Sequence, residues 1–115
     1  MKLIGFYVLS KNVSEMVEFY KKVLRAESEG EGNHVVINLP DGKGGFPIWD
    51  NGEVEDTVNE KIHLWFAVDD VDAEYEILLK MNVSILEPPA NRWGARDMVF
   101  YDPDGNRIRF VTYTE

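Results

Sequence analysis

No cysteine occurs in this 115-residue chain, so it offers no disulfide, no thiolate nucleophile and no thiolate metal site. Positive charge is scarce: 12 Lys and Arg stand against 21 Asp and Glu, a formal net charge of −9. That balance argues against nucleic acid as a partner, because a phosphate backbone demands a basic surface. It favours cationic solutes, whose local concentration a negative potential raises, although acidity also serves plain solubility. No apolar run approaches the roughly 20 residues that span a bilayer. Met1 leads into a strand-like segment with no basic n-region and no cleavage site, so the expectation is a cytoplasmic protein with no membrane partner. Gly42-Lys43-Gly44-Gly45 is too short to cradle phosphate, and no Ser-His-Asp order is present.

What is present is a pattern used twice. Ile4 to Glu15 lies over Ile62 to Ala73 without a gap, an offset of 58 residues, about half the chain. Few letters coincide, among them Ile4/Ile62, Val13/Val71, Glu18/Glu76 and Lys22/Lys80. The shared feature is an apolar run, a polar cap and a helical stripe. A repeat of this length is one supersecondary unit used twice. Two such units side by side enclose a cleft, where small molecules bind. Hydrophobic content of 44% fits a globular domain of common size.

Lys2 to Ser10 reads as a strand that is apolar on both faces, so neither face is expected to meet water freely. Asn12 with Glu15 forms a capping-box pattern, and Val13, Met16, Val17, Tyr20, Val23 and Leu24 make one helical stripe. Short strands follow at 26–29, 35–39 and 46–49, separated by glycine-rich turns. Module one is thus 1–50, residues 51–60 form an acidic linker, and module two is 61–115. In module two a strand at 61–68 leads to a helix capped by Asp70, with Val71, Tyr75, Leu78 and Leu79 on one face. That helix ends near Asn82, a candidate left-handed residue. Val83 to Leu86 reads as a short strand, Glu87-Pro88-Pro89-Ala90 as a rigid loop, and 98–101 and 107–113 as strands. Asp102-Pro103-Asp104-Gly105-Asn106 joins the last two as a tight turn. Each half is strand, helix and three strands. The fold class is α+β, duplicated βαβββ modules with one helix per module outside an eight-stranded mixed sheet curled around a cleft.

Three stretches resemble the vicinal oxygen chelate superfamily of glyoxalases, extradiol dioxygenases and bleomycin and fosfomycin resistance proteins. They are Phe19-Tyr20 with Val23-Leu24, Phe66-Ala67-Val68-Asp69-Asp70-Val71-Asp72, and Phe100-Tyr101 leading into the Asp-Pro-Asp-Gly-Asn turn. The resemblance covers the whole chain and implies the duplicated fold, a small-molecule ligand and a homodimer. In metal-dependent members a divalent cation is held by a first-strand and a last-strand residue of each module. Carried over, the first-strand positions are Gly5 and His63. The last-strand positions are Arg109 and the stretch around Phe46-Pro47-Ile48. Only His63 is a donor there, and Arg109 is a permanent cation that repels a metal. The expectation is no metal and no cofactor, with Asp50, Glu53 or His34 as conceivable substitute ligands that the pattern does not place.

Alternation along strands puts Tyr7 and Leu9 with Gly5, Trp65 with His63, and Arg107 with Arg109, away from the apolar Phe6, Val8, Leu64, Phe66, Ile108 and Phe110. Trp49 and Trp93 stand near the presumed mouth. The candidate ligand-binding set is therefore Tyr7, Trp49, His63, Trp65, Trp93, Arg107 and Arg109, suited to a planar organic ligand that rings stack on and an Arg fixes. Trp93-Gly94 followed by Arg96 resembles the bleomycin-resistance branch, whose members bind a drug without altering it. If a reaction occurs, His63 and Tyr7 are the acid–base candidates, or a displaced ligand set rescues a metal for lyase, isomerase or dioxygenase chemistry. Other roles are also open to these residues. His63 satisfies hydrogen bonds in a sheet, Arg109 pairs with Asp97, Glu53 or another acid, or Trp65 packs at a dimer interface.

Overall fold

A computed structural model describes residues 1–54 and 62–113 of the chain. Most of the expected 51–60 linker lies outside the described residues. The chain divides into two compact units, Met1–Thr57 and Val58–Glu115. Each unit has the same plan. The first runs β1 (Val8–Leu9), α1 (Val13–Leu24), β2 (Glu27–Glu31), β3 (His34–Asn38) and β4 (Gly45–Trp49). The second runs β5 (His63–Ala67), α2 (Val71–Lys80), β6 (Ile85–Arg92), β7 (Ala95–Tyr101) and β8 (Arg107–Tyr113). The eight strands form two four-stranded sheets, ordered β1-β4-β3-β2 and β5-β8-β7-β6. In each sheet the first strand runs parallel to the last, and the other pairings are antiparallel. The two helices start 58 residues apart, at Val13 and Val71, the offset of the sequence repeat.

Helix α1 buries the six residues of its predicted stripe against β2, β3 and β4. Tyr20 meets Phe46 edge-on, with ring centroids 5.2 Å apart, and Val35, Ile37, Phe46 and Ile48 complete that core. Each such side chain taken from water stabilises by about 1.5–3 kcal/mol. The helix ends at Arg25 in the left-handed conformation. Its start differs from the expected capping box. Asn12 makes no side-chain cap bond; its carbonyl accepts from Met16 N–H, and its own N–H donates to Ser10 Oγ. Helix α2 is capped as the sequence predicts, with Asp70 Oδ1 accepting from the N–H groups of Asp72 and Ala73. Asn82 takes the left-handed conformation. Its buried face is narrower than expected: Val71 and Leu78 are buried, whereas Leu79 is exposed and Tyr75 only half-buried. Phe100 and Phe110 pack edge-on at 4.9 Å beneath it.

Two strands depart from expectation. β1 is two residues long rather than nine, and Leu3, Ile4, Phe6 and Tyr7 are exposed. Val8 pairs with Ile48, so Tyr7 falls opposite Pro47, which has no N–H to offer a neighbour. Residues 1–4 run past the start of β4. β6, by contrast, continues through Pro88 and Pro89, which were expected in a loop. It is an outer strand, where proline is tolerated. Its register shifts between Ile85 and Glu87 and again between Glu87 and Ala90, which accommodates the two missing donors.

Candidate ligand-binding face

The second unit builds its site from the register of its ladder. Arg96 on β7 reaches α2 through a two-pronged bond to Asp72, at 2.7 and 2.9 Å. The alternate residues Asp97, Val99 and Tyr101 therefore project from the other face of the sheet. Residues directly opposite across a ladder share a face. One row on that face is His63, Arg107 and Tyr101; the next is Trp65, Arg109, Val99 and Glu87; a third is Ala67, Val111, Asp97 and Ala90. Adjacent strands lie about 4.8 Å apart and alternate residues about 7 Å apart. Four of the sequence candidates, His63, Trp65, Arg107 and Arg109, thus form one square on β5 and β8.

Charge on this face is organised as a chain. Arg92 Nη1 donates to Glu87 Oε2 at 3.0 Å and lies 3.5 Å from Asp97 Oδ1. Arg109 Nη1 donates to Asp97 Oδ2 at 2.5 Å. Asp97 is only 7% exposed, and its Oδ1 has no hydrogen-bond donor. The Arg109 guanidinium stands 5.9 Å from the centre of the Trp65 ring, within cation–π range, and Trp65 itself is 66% exposed. The hydrogen bond from Arg92 holds the Glu87 carboxyl below its usual range. Of the partners open to Arg109 from sequence, the structure selects Asp97.

The first unit places Tyr7 and Trp49 together, with ring centroids 5.6 Å apart, edge-on. His34 meets Trp49 in the same manner at 5.5 Å. Glu27, Glu29 and Glu31 are aligned with Asn38, Val36 and His34 on that face, and Asn38 Nδ2 donates to Glu29 Oε1. Trp93 joins neither group. It forms the β6–β7 hairpin turn with Gly94, both at positive φ (51° and 77°), and is fully exposed. Glu87, Arg92 and Tyr101 are members of the second face that the sequence reading missed. The two prolines of β6 give that stretch the local signature of a loop, which hides the first two; the alternation of β7 continued from Asp97 points to Tyr101.

Among the described residues, no three His, Asp or Glu side chains are grouped as a metal would need, and no helix is long and apolar enough to cross a membrane.

Comparison with known proteins places this geometry. The sequence model of the Glyoxalase/Bleomycin resistance protein/Dioxygenase superfamily matches residues 4–110. A curated relative, the uncharacterized protein YraH of Bacillus subtilis strain 168, is 28% identical, covering 94% of this chain and 95% of that one. Among solved structures, the fosfomycin resistance protein FosX of Listeria monocytogenes superposes with a TM-score of 0.79 at 18% identity, over 99% of this chain and 96% of that one. A glyoxalase/bleomycin resistance protein/dioxygenase from Alicyclobacillus acidocaldarius gives 0.76 at 13% identity, over 99% and 92%. At these identities the structural likeness speaks for fold alone.

Proposed function

The chain belongs to the Glyoxalase/Bleomycin resistance protein/Dioxygenase superfamily, and from that premise we propose that it binds and sequesters a small organic molecule without a metal. The observation that carries this reading is Arg109, held by buried Asp97 and poised over the exposed Trp65 ring. The resemblance puts a metal-binding carboxylate at position 109. A guanidinium there donates hydrogen bonds and ligates nothing. The carboxylates nearest it on the face, Asp97 and Glu87, are engaged with Arg109 and Arg92. Gly5 has no donor, and His63 alone falls short of the three or more protein ligands a catalytic site uses. Among the described residues of this face, the groups present therefore do not fit a divalent cation.

What the face offers instead is a flat apolar platform beside fixed guanidinium donors. Such a platform takes a ring by stacking and a polar group by directional hydrogen bonds. The superfamily generally binds small molecules, which this reading follows. The protein works as a homodimer, in keeping with a superfamily that is often dimeric. The exposed Leu3, Ile4, Phe6 and Tyr7 supply apolar surface of the kind that interfaces bury.

Elemental analysis of the purified chain, before and after incubation with Mn, Ni, Zn and Fe followed by dialysis, tests metal independence: less than 0.1 equivalent retained is expected, and stoichiometric retention refutes it. Sedimentation velocity should give a dimer that Ile4→Asp converts to monomer.

A further inference from the structure

We infer that the molecule taken by the second unit is a neutral planar lactam, whose N–H donates to Asp97 and whose carbonyl accepts from Arg109. This rests on the ligand-binding reading above and names the chemical class that the face selects. The starting observation is an orphan acceptor. Asp97 is 7% exposed, and its Oδ1 is buried with no hydrogen-bond donor, while Oδ2 accepts from Arg109. A buried polar atom without a partner is costly, and native proteins hold few of them. Arg92 Nη1 approaches Oδ1 to 3.5 Å but donates instead to Glu87 Oε2 at 3.0 Å. The Arg92 side chain is 34% exposed, so a small turn further onto Glu87 clears a path to Oδ1.

The register places room beside that oxygen. The row that holds Asp97 is otherwise made of small residues, Ala67, Val111 and Ala90. Larger side chains stand in the rows on either side, Trp65 with Arg109 in one and Tyr113 with Arg92 in the other. Rows of one face repeat about every 7 Å. A flat ring laid over Ala67 and Val111 therefore fills the step between Trp65 and Tyr113, which are 66% and 67% exposed. Its edge then meets two unlike groups. Arg109 gives one Nη to Asp97, and a guanidinium carries five N–H donors in a planar fork. Asp97 keeps one oxygen that accepts nothing. A lactam presents the matching pair, a donor and an acceptor side by side in one plane. A ring without a donor leaves Oδ1 as it stands. A carboxylate sets a like charge against Asp97 in a poorly solvated place. An organic cation meets Arg92 and Arg109, which already flank that aspartate.

The test is isothermal titration calorimetry on the full chain with two rings that differ at one position. Isoquinolin-1-one carries the lactam N–H; isocoumarin has a ring oxygen there and keeps the carbonyl. The lactam is expected to bind at least tenfold more tightly, the size of a hydrogen bond to a charged acceptor. Its affinity should change less than twofold as KCl is raised, because the ligand is neutral. Asp97→Asn turns an amide N–H toward the ligand, since Arg109 claims the amide oxygen, and should bring the two rings within threefold of each other. Trp65→Ala should weaken both. If Asp97→Asn fails to fold, as judged by circular dichroism, the two-ring comparison on the native chain carries the test alone. Equal binding of the two rings by the native chain, or a lactam preference that survives Asp97→Asn, overturns the lactam inference and leaves the ligand-binding reading standing. No heat from either ring, with native circular dichroism, overturns both.

Discussion

Removing Asp97 should unbalance the second sheet more than removing either arginine that it serves. Its side chain is 10% exposed and that of Arg109 is 17% exposed, so both charges sit in a poorly solvated setting. Asp97→Val leaves Arg109 without its carboxylate. Breaking a buried pair from one side costs about 3–5 kcal/mol; the remaining exposure of Arg109 puts this case near 3 kcal/mol. Arg109→Met is milder, about 1–2 kcal/mol, because Asp97 keeps Arg92 at 3.5 Å. The double variant replaces the pair by apolar groups of similar volume and should recover most of the summed loss, giving a coupling of about 3 kcal/mol in the double-mutant cycle. Unfolding entropy near 2.1 cal/mol/K per residue amounts to about 0.24 kcal/mol/K for the chain. Asp97→Val should then lower Tm by about 12 °C and the double variant by less than half of that. Urea titrations followed by circular dichroism measure all four corners. Strictly additive losses, or an Asp97→Val cost under about 1 kcal/mol, would refute the buried pair as the element that organises this face.

Two further outcomes follow from local geometry. At Gly45 an added Cβ would lie 2.1 Å from the carbonyl oxygen of Ile37 on the neighbouring strand; Gly45→Ala should therefore force β3 and β4 apart and cost about 3 kcal/mol or more, read by urea unfolding. The Arg96 hydrogen bonds hold the Asp72 carboxyl below its usual range. A depressed folded-state pKa adds stability above the unfolded value and loses it as pH falls through the folded one. Asp72→Asn should thus be less stable at pH 7 and show a shallower loss on acidification below about pH 4, and parallel acid limbs in the two proteins would contradict this.

The repeat was legible because apolar periodicity is a local property of sequence. Six of six stripe residues on α1 are buried, and the Asp70 cap and the Asn82 helix end stand where they were expected. The misreadings share a cause: each depends on a neighbour that the local sequence does not name. β1 looks like a nine-residue strand, yet its pairing is limited by Pro47 and by where β4 begins. Pro88 and Pro89 look like breakers, yet β6 is an outer strand whose register shifts absorb them. Asn12 and Glu15 fit a capping box in sequence, but the N–H of Asn12, which a capping box would bond to Glu15, instead donates to Ser10 Oγ.

The second face was half legible for the same reason. Alternation suffices to put His63, Trp65, Arg107 and Arg109 on one side, because β5 and β8 are regular and long enough for period two to hold. Which acid meets Arg109 is a matter of register: Val99, not Asp97, lies directly opposite, and Asp97 reaches across from two residues away. That diagonal ties the identities of residues 97 and 109 together. A carboxylate at 109, the residue type the superfamily resemblance assigns there, would face a buried Asp97 as a like charge in a poorly solvated pocket. Placing a carboxylate at 109 therefore cannot be done by one substitution without that repulsion. The aspartate must leave as well, and Arg92, which lies between Glu87 and Asp97, would lose half of its compensation. The arginine at 109 is thus the end of a chain of charges that runs from Glu87 through Arg92 and Asp97. A single charge reversal at 109 would leave the face with an uncompensated carboxylate.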